Sequence, residues 1–178
     1  MTRQVVLLRG INVGGNRRVG MADLRKVLEA LGYDDVRTHL QSGNVLVTSD
    51  VRGEQLERQL EQELAEGLGL ELKVLVRSRN ELAKVVARDP FGDVADNPSR
   101  YFVTFLARTL EPKRIRELRR LAVPPERFEA SGRELYTWHP DGLQGSRLAK
   151  VLADRRLGVT ATARNWNTVT KLLALADS

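Results

Sequence analysis

The chain has 178 residues, enough for one domain or two small ones, and its 42% hydrophobic content is enough to bury a core. Its zero cysteines exclude disulfides and thiolate metal sites, and no apolar run reaches the ~18 residues of a membrane helix. The net charge of +6 lies wholly in the second part, because residues 1–77 hold 11 basic and 11 acidic side chains while residues 78–178 hold 18 and 12. The opening Met-Thr-Arg-Gln lacks the pattern of a signal peptide, and these features together read as a soluble cytoplasmic protein with no membrane partner.

The first element is a short apolar run, Gln4–Leu8, read as a buried strand. A loop rich in glycine, asparagine and arginine follows, from Arg9 to Arg18, and the link continues to Gly20. Leu24, Val27, Leu28 and Leu31 then fall on one helical face, and Gly32 ends that helix. Val36–Leu40 alternates as a strand, Gln41-Ser42-Gly43-Asn44 is a turn, and Asn44–Thr48 returns. Leu56, Leu60, Leu64 and Leu68 mark a second helix. Leu72, Val74 and Val76 mark a fourth strand with period two. The order is βαββαβ.

Ser78-Arg-Asn-Glu81 has the form of a capping box opening a helix that ends at Asp89-Pro90. A loop leads to strand Tyr101–Leu106, helix Pro112–Leu121 and strand Arg127–Ala130. After the turn Ser131-Gly132 come strand Arg133–Trp138, helix Ser146–Ala153 and strand Val159–Ala163. That is βαββαβ again, closed by a helix with Trp166, Val169, Leu173 and Ala176 on one stripe. The expected fold is α+β, two ferredoxin-like βαββαβ halves related as a duplication of element order, with a linking helix and a C-terminal helix. The expected boundaries are 1–77, a linker at 78–100, and 101–178.

In such a unit the first and second strands run parallel and the third returns between them. The loop after strand one and the turn between strands two and three then open at one end of the sheet. A pocket is expected there from Arg9, Gly10, Asn12, Gly14, Gly15, Asn16, Arg17, Arg18, Gln41, Ser42 and Asn44. Glycine-bearing backbone amides and arginines suit an anion such as phosphate. The eleven-residue link is longer than a strand-to-helix connection needs. The plainer reading of Gly43 and Asn44 is a tight hairpin.

By the same logic residues 141–146 and 164–168 are neighbours in the second half. They would gather Ser146, Arg147, Lys150, Arg164, Asn165 and Asn167 around a helix start. Asn165 also reads as a helix cap, and Trp166 as a packed residue rather than a platform for a base. Seven of the nine aromatics lie between Tyr101 and Trp166. They read as strand core, with a nucleic-acid surface as the sharper alternative. Lys113, Arg114, Arg116, Arg119 and Arg120 form a basic helix face, usually a solvated one.

Gly10 and Gly15 have P-loop spacing, but Asn16 and Arg17 stand where Lys and Ser/Thr are required. The glycines do not fit a dinucleotide fingerprint, and neither G-x-S-x-G nor H-E-x-x-H occurs. His39 and His139 have no metal spacing. His39, beside Ser42, is expected on the sheet's other face as a solvated or interface residue. No cofactor and no metal are expected, and no catalytic residue is assigned.

Val-Leu-Leu-Arg-Gly-Ile-Asn-Val-Gly-Gly (6–15), Met-Ala-Asp-Leu-Arg (21–25), Gln-Ser-Gly-Asn (41–44) and Thr-Ala-Arg-Asn-Trp-Asn-Thr-Val (162–169) together resemble the bacterial family named domain of unknown function 1697. The resemblance spans nearly the whole chain and implies a duplicated α+β fold. It implies no activity. The functional expectation is a protein that holds a phosphate-bearing partner, nucleic acid or nucleotide. An enzyme acting on a small anionic metabolite and a structural homo-oligomer are the alternatives.

Overall fold

The computed structural model describes residues 1–9, 19–40 and 43–178. It forms two compact units, Met1–Lys84 with Lys171–Ser178, and Val85–Thr170. The first contains β1 (Thr2–Arg9), α1 (Met21–Ala30), β2 (Asp34–His39), β3 (Asn44–Ser49), α2 (Gly53–Leu68) and β4 (Lys73–Ser78). Its sheet runs β2-β3-β1-β4 with every neighbour antiparallel. β3 therefore lies between β2 and β1, as the element order requires.

The leucines of α1 and α2 cover one face of this sheet. Leu24, Leu28, Leu56, Leu60 and Leu64 pack with Val6, Leu8, Val45, Val47, Val74 and Val76. Each such side chain contributes roughly 1.5–3 kcal/mol by leaving water. Leu31 departs from the expected stripe: it caps α1 and is 44% exposed. Val5, Leu7, Leu46 and Leu75 alternate onto the opposite face and are buried as well. Burial on both faces explains why these strands read as unbroken apolar runs.

β4 is an edge strand, and its outward amides are taken up by α2. Val76 N–H donates to Glu57 Oε1 at 2.8 Å, and Val74 N–H to Glu61 Oε1 at 3.0 Å. The spacing matches because four helical residues rise about 6 Å and two strand residues about 6.6 Å. The edge is thereby closed to pairing with another strand.

The capping box forms as expected. Glu81 N–H donates to Ser78 Oγ at 3.1 Å, and Ser78 N–H to Glu81 Oε2 at 2.7 Å. It opens α3 (Arg79–Arg88). Then come β5 (Tyr101–Leu106), α4 (Pro112–Leu121), β6 (Arg127–Ser131), β7 (Glu134–Trp138), α5 (Arg147–Ala153), β8 (Ala161–Asn165) and α6 (Trp166–Ala176). The second sheet runs β6-β7-β5-β8, the same order as the first. Leu118 of α4 and Leu148 of α5 pack with Leu106, Phe128, Leu135 and Ala161.

β8 lies two residues later than the sequence suggests. A 3-10 turn at Arg155–Leu157 and Gly158, with φ of 98°, occupy the stretch before it. The strand then runs on until Asn165, whose side chain caps α6 by accepting from Thr168 N–H at 3.0 Å. Tyr101, Phe105, Phe128, Tyr136 and Trp138 are buried core residues, and Phe102 is half-buried.

Candidate functional site

The ends of the two loops in the first unit meet as topology predicts. Leu8 N–H donates to Gly43 O at 2.9 Å, and Leu7 stands opposite Asn44. His39 also pairs with Asn44, whose Nδ2 donates to the His39 carbonyl at 2.9 Å. Arg9, which opens the long loop, is paired with Lys73. One end of the sheet therefore gathers Arg9, Lys73, His39 and Asn44. Asn44 is fully buried and helps hold the hairpin, which favours its structural role. His39 is held below the usual imidazole range, first by burial and then by the Lys171 ammonium. Gly10, Asn12, Gly14, Gly15, Asn16, Arg17, Arg18, Gln41 and Ser42 lie outside the described residues.

The second unit supplies an internal measure of the loop. Leu106 N–H donates to Arg133 O at 2.8 Å, the counterpart of the bond between Leu8 and Gly43. There the chain passes from β5 to α4 in five residues, 107–111. In the first unit it passes from β1 to α1 in eleven, 10–20. The same turn through the same sheet end therefore needs fewer than half the residues the first unit spends on it.

The second expected cluster does not converge on one point. β7 and β8 do end beside the start of β5, with Trp138 opposite Tyr101 and Asn165 opposite Phe102. His139 N–H donates to Arg100 O at 3.0 Å, and Asn167 Nδ2 to Ser99 Oγ at 3.2 Å. Arg164, however, stands opposite Val103, on the face away from α4 and α5. It is buried, and its Nη1 donates to Thr162 Oγ1 at 2.6 Å and to Ala163 O at 2.9 Å. Burial pulls its guanidinium down to about 10. Arg147 and Lys150 are exposed on α5. The alternation of a strand thus separates Arg164 from the helix start.

Ser146 serves a different group, which sequence reading missed. Its hydroxyl caps α5 by accepting from Ala149 N–H at 3.1 Å and donates to Glu126 Oε2 at 2.6 Å. The same carboxylate oxygen lies 2.6 Å from Nδ1 of His139, which is 1% exposed. The order differs from that of a serine hydrolase. There the serine faces the imidazole nitrogen remote from the acid. Here Ser146 approaches Nδ1 itself, at 3.5 Å, so the carboxylate holds both partners and pins the loop between them. The only sequence hint is Ser146 at a helix start, since Glu126 lies twenty residues away.

Trp166 is packed against Tyr101, with ring centroids 4.4 Å apart and planes within 3°. The Tyr101 hydroxyl donates to Asp89 Oδ1 at 2.9 Å. Among the described residues no group of three His, Asp or Glu side chains has the geometry of a metal site. No described helix is long and apolar enough to cross a membrane.

The fold and the unequal sheet ends define an α+β protein of two βαββαβ units. The chain belongs to the family described as Protein of unknown function (DUF1697), whose model matches residues 1–136. It is also similar to a conserved bacterial protein of known structure, SP0830 from Streptococcus pneumoniae. The two share 25% identity over 98% of each chain, with a TM-score of 0.78. No curated protein matches. The segment 162–169 lies beyond the matched part of the family, whereas the long loop and the first hairpin lie within it.

Proposed function

We propose that the end of the first sheet binds a phosphate-bearing partner, a nucleotide or nucleic acid. The observation that carries this reading is the eleven-residue link between β1 and α1, set against five residues in the second unit. Val19, at the end of the link, packs into the first core, and the second unit closes its equivalent corner without the added chain. Its composition suits anions: Gly10, Gly14 and Gly15 have no side chain beside their amides, Asn12 and Asn16 bring amide donors, and Arg9, Arg17 and Arg18 bring charge. Gln41 and Ser42, between β2 and β3 in sequence, add polar side chains, whereas Asn44 is buried and holds the hairpin. In the second unit, exposed Arg147 and Lys150 offer separate, solvated positive charge of the same kind.

Titration of the full chain with a labelled single-stranded oligonucleotide and with ATP, at low salt, tests the reading. Binding should weaken as salt rises, because each phosphate contact releases counterions. The double variant Arg17→Ala, Arg18→Ala should lose about tenfold or more in affinity. Absence of binding for both probes removes the proposal. The matching sheet orders and the matching bonds at Gly43 and Arg133 also support descent of the two units from one duplicated ancestor.

A further inference from the structure

The two units finish the other ends of their sheets differently, and the comparison singles out a second site. Arg77 stands opposite Val5, and Arg164 opposite Val103. Extending that register makes Arg3 the counterpart of Tyr101, and Arg79 the counterpart of Trp166. In the second unit those positions are closed by the stacked rings, and Ser146 caps the adjacent helix α5. In the first unit they carry two guanidinium groups, and no described side chain caps the corresponding helix α2. A cavity of about 530 Å³ lies there, at the end of β1 remote from the long loop.

Its walls are cationic and only partly paired. Arg3 lines it with a side chain 12% exposed, and its Nη1 lies on Asp35 at 2.8 Å. The Nε and Nη2 atoms of Arg3 are buried with no hydrogen-bond partner among the described residues. Arg52 is exposed and, among the described residues, has no ion pair. Arg79 leans on Asp177 through Nε at 2.6 Å. Glu81 is the one carboxylate among the described lining residues, and its Oε2 is engaged by the Ser78 amide.

We propose that this cavity binds a small polyanion, with phosphate or carboxylate oxygens held by Arg52 and Arg79. Guanidinium forks match the planar or tetrahedral oxygens of such groups. The uncapped start of the 16-residue helix α2 adds a favourable dipole at the same wall. The site shares no residue with the long loop, so the two proposals stand or fall separately.

Calorimetric titration of the full chain with pyrophosphate, and separately with citrate, tests it. One anion at least should bind with saturation, and the choice between them identifies phosphate or carboxylate chemistry. Arg52→Glu, at an exposed position that leaves the fold intact, should weaken binding about tenfold or more. Arg79→Ala should act in the same direction. The Arg17→Ala, Arg18→Ala double variant should bind as the wild type does. No binding of either anion would overturn the proposal. Binding kept by Arg52→Glu but lost in the loop double variant would overturn it as well.

Discussion

Replacing Glu57 by alanine should expose how the first sheet protects its edge. Glu57 is 8% exposed, and its Oε1 accepts the Val76 N–H at 2.8 Å. The variant leaves that amide buried with no acceptor, and a buried unsatisfied group costs about 1–3 kcal/mol. At roughly 2–4 °C per kcal/mol for a chain of this length, a central loss of ~2 kcal/mol lowers the melting temperature by about 4–8 °C. Glu57→Gln keeps an acceptor of the same shape and should lose less than half of that. Glu61→Ala should also be milder, because the Glu61 side chain is 27% exposed and water can replace it at Val74. Thermal unfolding followed by circular dichroism gives all three values. A Glu57→Ala melting temperature equal to that of the wild type, or a larger loss from Glu61→Ala, would refute the edge-capping argument.

The remaining predictions concern the second unit and alkaline pH. All three tyrosines, Tyr33, Tyr101 and Tyr136, are held above the ordinary phenol range, each first by burial. Above pH 10 the unfolded chain therefore loses phenolic protons that the folded chain keeps, so stability should fall as pH rises. Arg164, lowered to about 10, and Arg3, also lowered by burial, oppose this with two groups against three. Tyrosinate absorbance should then appear together with unfolding, and its appearance in the still-folded protein would contradict the burial. Ser146→Ala should cost about 1 kcal/mol or more by losing the α5 cap and the bond to Glu126. Ser146→Asp restores a cap but sets a carboxylate against Glu126, so urea denaturation should still find it destabilised. Tyr101→Phe leaves Asp89 without its donor and should lower stability by about 1 kcal/mol.

The site was legible only in outline. Glycine, asparagine and arginine between Leu8 and Met21 marked a corner, and element order placed the hairpin of Asn44 beside it. What the composition of that loop could not supply was a standard for its length, which came from the five-residue link after Leu106. Arg3 gave no signal, because a lone arginine at the start of a strand reads as a solvent-facing residue. Glu57 and Glu61 beside a leucine stripe looked like an ordinary charged helix face. The group formed by Glu126, His139 and Ser146 joins a residue before one strand to two beyond another, and no local pattern connects them.

Local chemistry was enough for the elements and their order. Leucines at helical spacing, short apolar runs and the reciprocal pair Ser78 and Glu81 act between near neighbours, so the sequence alone determined two βαββαβ units. Tertiary structure decided which face each side chain occupies and what lies opposite it. Period-two alternation set Arg164 on the face away from Ser146, although both sit near the same strand ends. Strand pairing also made Arg3 and Tyr101 counterparts, one lining a cavity and the other closed by a ring. Those differences depend on contacts between residues distant along the chain, and only the folded sheet brings such residues together.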